Sequence, residues 1–144
     1  MAAAIQIVID CRDPARLAGF WAEALGYQVE PPPPGFADWP AFLRSMGVAE
    51  EEWGRYSAVV DPAGVGPRVL FQRVPEGKAV KNRVHLDVSV TRGRDATPEE
   101  RREDVALAVA RLEARGATAL GPREEMGSYW VVMQDPEGNE FCLH

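Results

Sequence analysis

The sequence has few cysteines, no long hydrophobic run and no basic segment at its start. Cys11 and Cys142 are its two cysteines. No apolar stretch approaches the roughly 18 residues that a transmembrane helix needs. Residues 1–5 lack the basic start and apolar run of a signal peptide. We therefore expect a cytoplasmic protein without membrane contact, whose reducing surroundings disfavour a Cys11–Cys142 disulfide.

Positive charge is also scarce. Acidic residues number 22 against 16 basic ones, which gives a net charge of −6 and a pI near 5.0. The densest charged stretch, residues 99–104, mixes both signs and is typical of the solvated face of a helix. A nucleic-acid-binding protein would carry a basic face, so this class is not expected. With 144 residues, 46% of them hydrophobic, the chain can build one domain or two small halves.

The first half of the sequence predicts a strand, a helix and further strands. Residues 5–10 are β-branched and nearly alternating, which is typical of a strand. Asp13 and Pro14 have the form of an N-cap followed by a first-turn proline, and Gly26 ends the helical periodicity. The remaining predictions are strands at 27–30, 56–60 and 68–74, a short helix or irregular lid at 40–53, and a linker at 77–82.

The second half repeats this order. Residues 83–90 alternate as a strand, and Thr97 with Glu100 forms the pattern of a capping box at the start of a helix that Gly116 ends. The apolar face expected for this helix contains Val105, Leu107, Ala108, Val109 and Leu112. Short strands follow near 119, at 129–133 and at 140–144.

The two halves therefore form an internal repeat. Each half contains a strand, a helix ending in glycine, strands, an Asp-Pro-x-Gly turn and a closing strand. Strand faces alternate with a period of two, so one face packs under the helix and the more polar face lines a space. On the more polar face of the opening strands lie Gln6, Val8 and Asp10, matched by His85, Asp87 and Ser89.

Several motifs resemble those of one large superfamily. They are Asp13-Pro14 with Leu25-Gly26, the junction at 81–87, and the final stretch at 130–143 with its turn at 135–139. Together they are similar to the glyoxalase/bleomycin-resistance/dioxygenase (vicinal oxygen chelate) superfamily, in its glyoxalase-like domain branch. The resemblance implies an α+β fold of two βαβββ modules, at 1–76 and 83–144. The modules would form a U-shaped, mostly antiparallel sheet with helices on its outer face, in a homodimer.

The resemblance also implies four metal-ligand positions, which fall on Gln6, Gln72, His85 and Cys142. Relatives usually carry histidines and glutamates there, so the set is degenerate and only His85 matches the common pattern. The implied cofactor is either none or a divalent ion such as Zn, Ni, Fe or Mn. Glu140 shares a face with Cys142 and is an alternative carboxylate. His85 can instead be a histidine hydrogen-bonded to Asp87, and Cys142 a small buried hydrophobic residue.

Aromatic residues predict a pocket for a small hydrophobic or aromatic molecule. The expected ligand-binding residues are Trp39, Trp53, Tyr56, His85 and Trp130. Three functions remain open on the sequence. The first is a small-molecule-binding protein without metal chemistry. The second is a metal-dependent lyase, isomerase or dioxygenase. The third is an interaction module that binds no small ligand and whose concave surface only forms part of a dimer interface.

Overall fold

The computed structural model describes all of residues 1–144, which form two compact units, Met1–Gly77 and Lys78–His144. Each unit contains one four-stranded sheet, and three α-helices complete the chain. The predicted α+β class with two modules is therefore confirmed. None of these helices combines the length and the hydropathy that crossing a membrane requires.

The sheet of the first unit has the strand order β1-β4-β3-β2. Its β1 and β4 are parallel, and the other neighbours are antiparallel. The elements are β1 (Ile7–Cys11), α1 (Pro14–Leu25), β2 (Gln28–Val29), α2 (Trp39–Ser45), a 3₁₀ turn (Glu50–Glu52), β3 (Tyr56–Val60) and β4 (Val69–Arg73).

The second unit has the same topology. Its strand order is β5-β8-β7-β6, with β5 parallel to β8 and antiparallel pairing elsewhere. This equivalence confirms the internal repeat. The elements are β5 (Asp87–Val88), α3 (Pro98–Glu113), β6 (Thr118–Glu125), β7 (Ser128–Gln134) and β8 (Glu140–Leu143).

The helix ends form as their sequence signals predict. The Asp13 side chain accepts a hydrogen bond from the Arg16 backbone N–H at 3.2 Å, and Gly26 ends α1 in the left-handed region at φ 66°. At the start of α3, Thr97 accepts from the Glu100 N–H at 3.2 Å, while the Glu100 carboxylate accepts from the Thr97 N–H at 2.8 Å. This is the reciprocal capping box.

One face of each sheet is buried against its helix. Leu17, Phe20 and Trp21 of α1 are buried and pack towards β3 and β4. In the second unit, α3 packs towards the sheet with Val105, Ala108 and Leu112. Three of the tryptophans, Trp21, Trp39 and Trp53, belong to the first unit, and Trp130 is the fourth.

Two expectations at this level are wrong. The strand predicted over 83–90 is regular only at Asp87–Val88. β5 is an edge strand whose one partner is the short β8, so regular pairing cannot extend far beyond it. Leu107, expected on the buried face of α3, is 69% exposed. It lies two residues after Val105, on the far side of a helix that turns 100° per residue.

Candidate functional site

The clearest cluster of chemically active side chains lies where β5 meets β8. The parallel register places Asp87 opposite Cys142, and His85 lies two residues before Asp87, just outside β5. His85 Nε2 is 3.5 Å from Asp87 Oδ1. The ligand atoms of His85, Asp87 and Cys142 all lie within 4.8 Å of one another. We call these three residues the donor triad.

The electrostatics of the donor triad centre on the Cys142 thiol. Cys142 is only 8% exposed. Burial raises the pKa of this thiol, and the charge of Asp87 and a hydrogen bond to its carboxylate raise the pKa further. The thiol is therefore protonated near neutral pH. It donates to Asp87, and it is not an activated nucleophile in this state.

A cavity of about 480 Å³ opens beside the donor triad. Its volume falls in the range of small-molecule sites, which are concave and combine aromatic walls with a few polar groups. Trp130 and Tyr129 supply the aromatic surface, and Arg101 supplies a positive charge. The cavity is lined by His85, Asp87, Thr91, Arg101, Gly127, Ser128, Tyr129, Trp130, Cys142 and His144.

The donor triad suits a divalent metal ion in its chemistry. An imidazole nitrogen, a carboxylate oxygen and a thiol sulfur are the three ligand types that zinc accepts, and catalytic zinc sites use three protein ligands. Three ligand atoms that each bind the same ion at about 2.0–2.3 Å must lie close to one another. Atoms already within 4.8 Å can reach such an arrangement by small side-chain rotations. The residues therefore fit the ion, and binding would release the thiol proton.

The two glutamines of the predicted metal set belong to the first unit. Gln6 Oε1 accepts a hydrogen bond from Arg68 Nη1 at 3.0 Å. Gln72 is paired in register with Asp10, which lies four residues beyond Gln6. At a rise of about 3.3 Å per residue, this separates the two glutamines by roughly 13 Å along the sheet. The first unit therefore does not place them side by side.

Glu140, the alternative carboxylate, is engaged elsewhere. Its Oε2 accepts from the Asn82 backbone N–H at 2.9 Å and lies 3.1 Å from Lys78 Nζ. The bond from Asn82 and the contact with Lys78 lower the pKa of this carboxyl group. Glu140 thus holds the segment that leads into β5, and Asp87 is the carboxylate beside His85 and Cys142.

The remaining predicted aromatic residues lie around α2 and β3. The Trp39 indole donates to the Glu30 carbonyl at 2.8 Å, and its ring meets Phe42 edge-on at 5.8 Å. The Trp53 indole donates to the Val48 carbonyl at 2.9 Å, and Arg44 lies 5.1 Å from its ring centre. Tyr56 is 50% exposed. These contacts give Trp39 and Trp53 a structural role in the segment between β2 and β3.

Asp87 is the candidate donor that the sequence alone does not identify. Alternation along the predicted strand places Asp87 on the same face as His85, which indicates only a hydrogen-bonded pair. The parallel register with Cys142 adds the third group, and that register cannot be read from either strand alone. Arg101 and Tyr129 reach the cavity from α3 and β7, and no local sequence signal indicates this.

Comparison with known proteins extends the picture to the whole chain. The family model described as "Glyoxalase-like domain" matches residues 6–144. No curated protein sequence matches the chain.

Solved structures resemble it at low sequence identity. A glyoxalase/bleomycin resistance protein/dioxygenase family enzyme from Burkholderia phytofirmans is 18% identical, with a TM-score of 0.61 over 96% of this chain and 94% of its own. A variant of the fosfomycin resistance protein FosX from Listeria monocytogenes, complexed with Mn(II) and 1S,2S-dihydroxypropylphosphonic acid, is 11% identical. Its TM-score is 0.64 over 100% of this chain and 90% of its own. FosX from Mesorhizobium loti is 13% identical, with a TM-score of 0.64 over 100% and 91%. At these identities the likeness shows the fold alone.

Proposed function

Because this chain belongs to the glyoxalase-like domain family, we propose that it is a small-molecule-binding protein whose ligand occupies the cavity beside the donor triad. The observation that carries the proposal is the lining of that cavity. Trp130 and Tyr129 line it together with several polar side chains, around a volume of about 480 Å³. A flat aromatic molecule can stack on the Trp130 ring while its polar substituents meet His85 and Arg101.

The mechanism of binding follows from the same residues. Trp130 and Tyr129 are both half-buried, so a ligand that covers them removes apolar surface from water. Arg101 donates its Nε–H to the Ala96 carbonyl at 3.0 Å. This bond holds the guanidinium near the cavity and reduces the entropy lost when a ligand meets it. Asp87 supplies a carboxylate acceptor and His85 an imidazole.

Melting temperatures measured with a library of aromatic antibiotics and metabolites test this proposal. We expect at least one compound to raise the melting temperature in the presence of EDTA. Trp130→Ala should weaken its binding by about tenfold or more, or about 1.4 kcal/mol. The control is Trp53→Ala, because Trp53 is also half-buried but belongs to the first unit. No stabilisation across the library, or equal losses in the two variants, would contradict the proposal.

The donor triad favours a second function, a metal-dependent lyase, isomerase or dioxygenase. A bound divalent ion would supply Lewis-acid polarisation of substrate oxygens. The protein's own part would be to fix the ion with His85, Asp87 and Cys142 and to hold the substrate against Trp130.

Metal content distinguishes the two functions. If the second is correct, protein purified without chelator carries about one zinc per chain, and His85→Ala loses it. His144→Ala is the matched control, because His144 lines the same cavity outside the donor triad. Sub-stoichiometric metal that His85→Ala leaves unchanged would exclude this function. The ligand-binding proposal would still stand.

We further propose a cytoplasmic homodimer. Both cysteines are buried and neither forms a disulfide, which suits a reducing compartment. Outside the buried helix-facing side, the first sheet leaves Val8 and Tyr56 about half exposed, at 49% and 50%. A second copy of the chain would cover such surface. Light scattering should give twice the chain mass of 15.8 kDa, and a monomer at micromolar concentration would disprove the dimer.

A further inference from the structure

Three arginines meet at one edge of the first sheet. Arg12 directly follows β1, Arg73 is the last residue of β4, and Arg55 directly precedes β3. The strands β1, β4 and β3 are neighbours, with β1 parallel and β3 antiparallel to β4. The end of β1, the end of β4 and the start of β3 therefore lie at the same edge. The topology itself brings these three cations together.

Two of the arginines face each other directly. The register pairs Tyr56 with Gln72, so the next pair along the ladder is Arg55 with Arg73. The Arg73 backbone N–H donates to the Arg55 carbonyl at 2.9 Å, which confirms that the ladder extends this far. Like charges directly opposite each other on adjacent strands destabilise a sheet. Such an arrangement has a cost for folding, which the contact of Arg55 with Glu52 and the bond from Arg73 to the Glu51 carbonyl offset in part and a bound anion would offset further.

The arginines line a cleft of about 490 Å³ together with Glu52, Val74 and Pro75. Glu52 is the one acidic residue in this lining, and it contacts Arg55 at 3.3 Å on the exposed surface. The lining residues include three guanidinium groups and one carboxylate, a formal charge of +2, in a chain whose net charge is −6. The local charge is thus opposite in sign to that of the whole molecule.

We propose that this arginine cleft binds a compact oxyanion carrying two negative charges, of the phosphate or dicarboxylate class. A guanidinium presents parallel N–H donors that match two oxygens of a phosphate or a carboxylate. A dianion between Arg12, Arg55 and Arg73 neutralises the net charge of the lining and removes the repulsion across the ladder. The site goes beyond the proposed function, because it lies in the first unit while the aromatic cavity lies in the second.

Isothermal titration with inorganic phosphate and with malonate tests the proposal. Sodium chloride at matched ionic strength measures simple screening. We expect saturable binding of at least one dianion at one site per chain. Arg73→Gln should weaken it by about tenfold or more, and Arg12→Gln should also weaken it without altering a strand residue. The control is Arg123→Gln, an exposed arginine on β6 in the second unit.

Each outcome decides the question. Binding of either dianion that depends on Arg73 and Arg12, and not on Arg123, supports the cleft, and the tighter probe identifies the ligand class. A heat no larger than that of sodium chloride overturns it, as does an equal loss in all three variants. Melting temperatures provide a second readout. Ligand-free Arg73→Gln should be at least as stable as the wild type, because the substitution removes a like-charge pair.

Discussion

Asp61 and Asp135 occupy the same position in the two Asp-Pro-x-Gly turns, yet their surroundings differ. Asp61 accepts hydrogen bonds from the backbone N–H groups of Ala63, Val65 and Gly66 at 2.8–3.0 Å, near the surface. Asp135 is 3% exposed and accepts from Glu137 and Asn139. Because water replaces the partners of the half-buried Asp61 more readily than those of Asp135, the buried carboxylate should matter more to stability.

Asp135→Ala should therefore lower the free energy of unfolding by about 1–3 kcal/mol, because the turn loses charge-assisted hydrogen bonds in a buried place. Asp61→Ala is the matched control and should cost less. Urea unfolding of both variants measures the difference. Equal losses would show that burial does not distinguish the two turns.

The same contacts determine how Asp61 responds to pH. Its pKa is lowered, chiefly by the hydrogen bonds from Gly66 and Ala63. A lowered folded pKa means that Asp61 contributes stability above its unfolded value of about 3.9. This contribution is lost as the pH falls through the lower folded pKa. The difference in stability between the wild type and Asp61→Ala should accordingly shrink in acid.

At the scale of elements, the helices were predictable and one strand was not. Both long helices begin at side-chain caps, and those signals are local in the sequence. The strand at 83–90 shows the same clean alternation as its counterpart, but its length depends on its neighbour. β8 has four residues, and the Asn82 N–H bonds to the Glu140 side chain instead of to a strand. Alternation predicts which face a residue occupies, whereas pairing determines how far a strand extends.

The capping box of α3 gives a test at this scale. Thr97→Ala should lower the free energy of unfolding by about 1 kcal/mol, because the Glu100 N–H loses its acceptor. Glu99→Gln is a suitable control, since Glu99 lies in the same first turn outside the box. Chemical denaturation followed by circular dichroism measures both. A larger loss for Glu99→Gln would contradict the assignment of the cap.

At the scale of the whole molecule, the internal repeat could be predicted from the sequence, whereas the residues of the candidate site could be predicted only in part. The order of elements and the paired turns predicted two modules of one topology, and the two sheets confirm it. The structure places His85, a predicted site residue, in a cluster of donors, but the inclusion of Asp87 required the register of a distant strand. Arg12, Arg55 and Arg73 are scattered along the sequence, so their meeting at one sheet edge depends on the strand order.

The uneven placement of tryptophan between the two units has a spectroscopic consequence. Intrinsic fluorescence reports mainly on Met1–Gly77, which holds three of the four indoles, whereas far-ultraviolet dichroism reports on both units. Denaturation curves that coincide for the two signals would mean that the halves melt as a single cooperative body. Curves that separate would mean that one unit unfolds at a higher denaturant concentration than the other. The emission spectrum of Trp130→Phe would then show which part of the fluorescence comes from which unit.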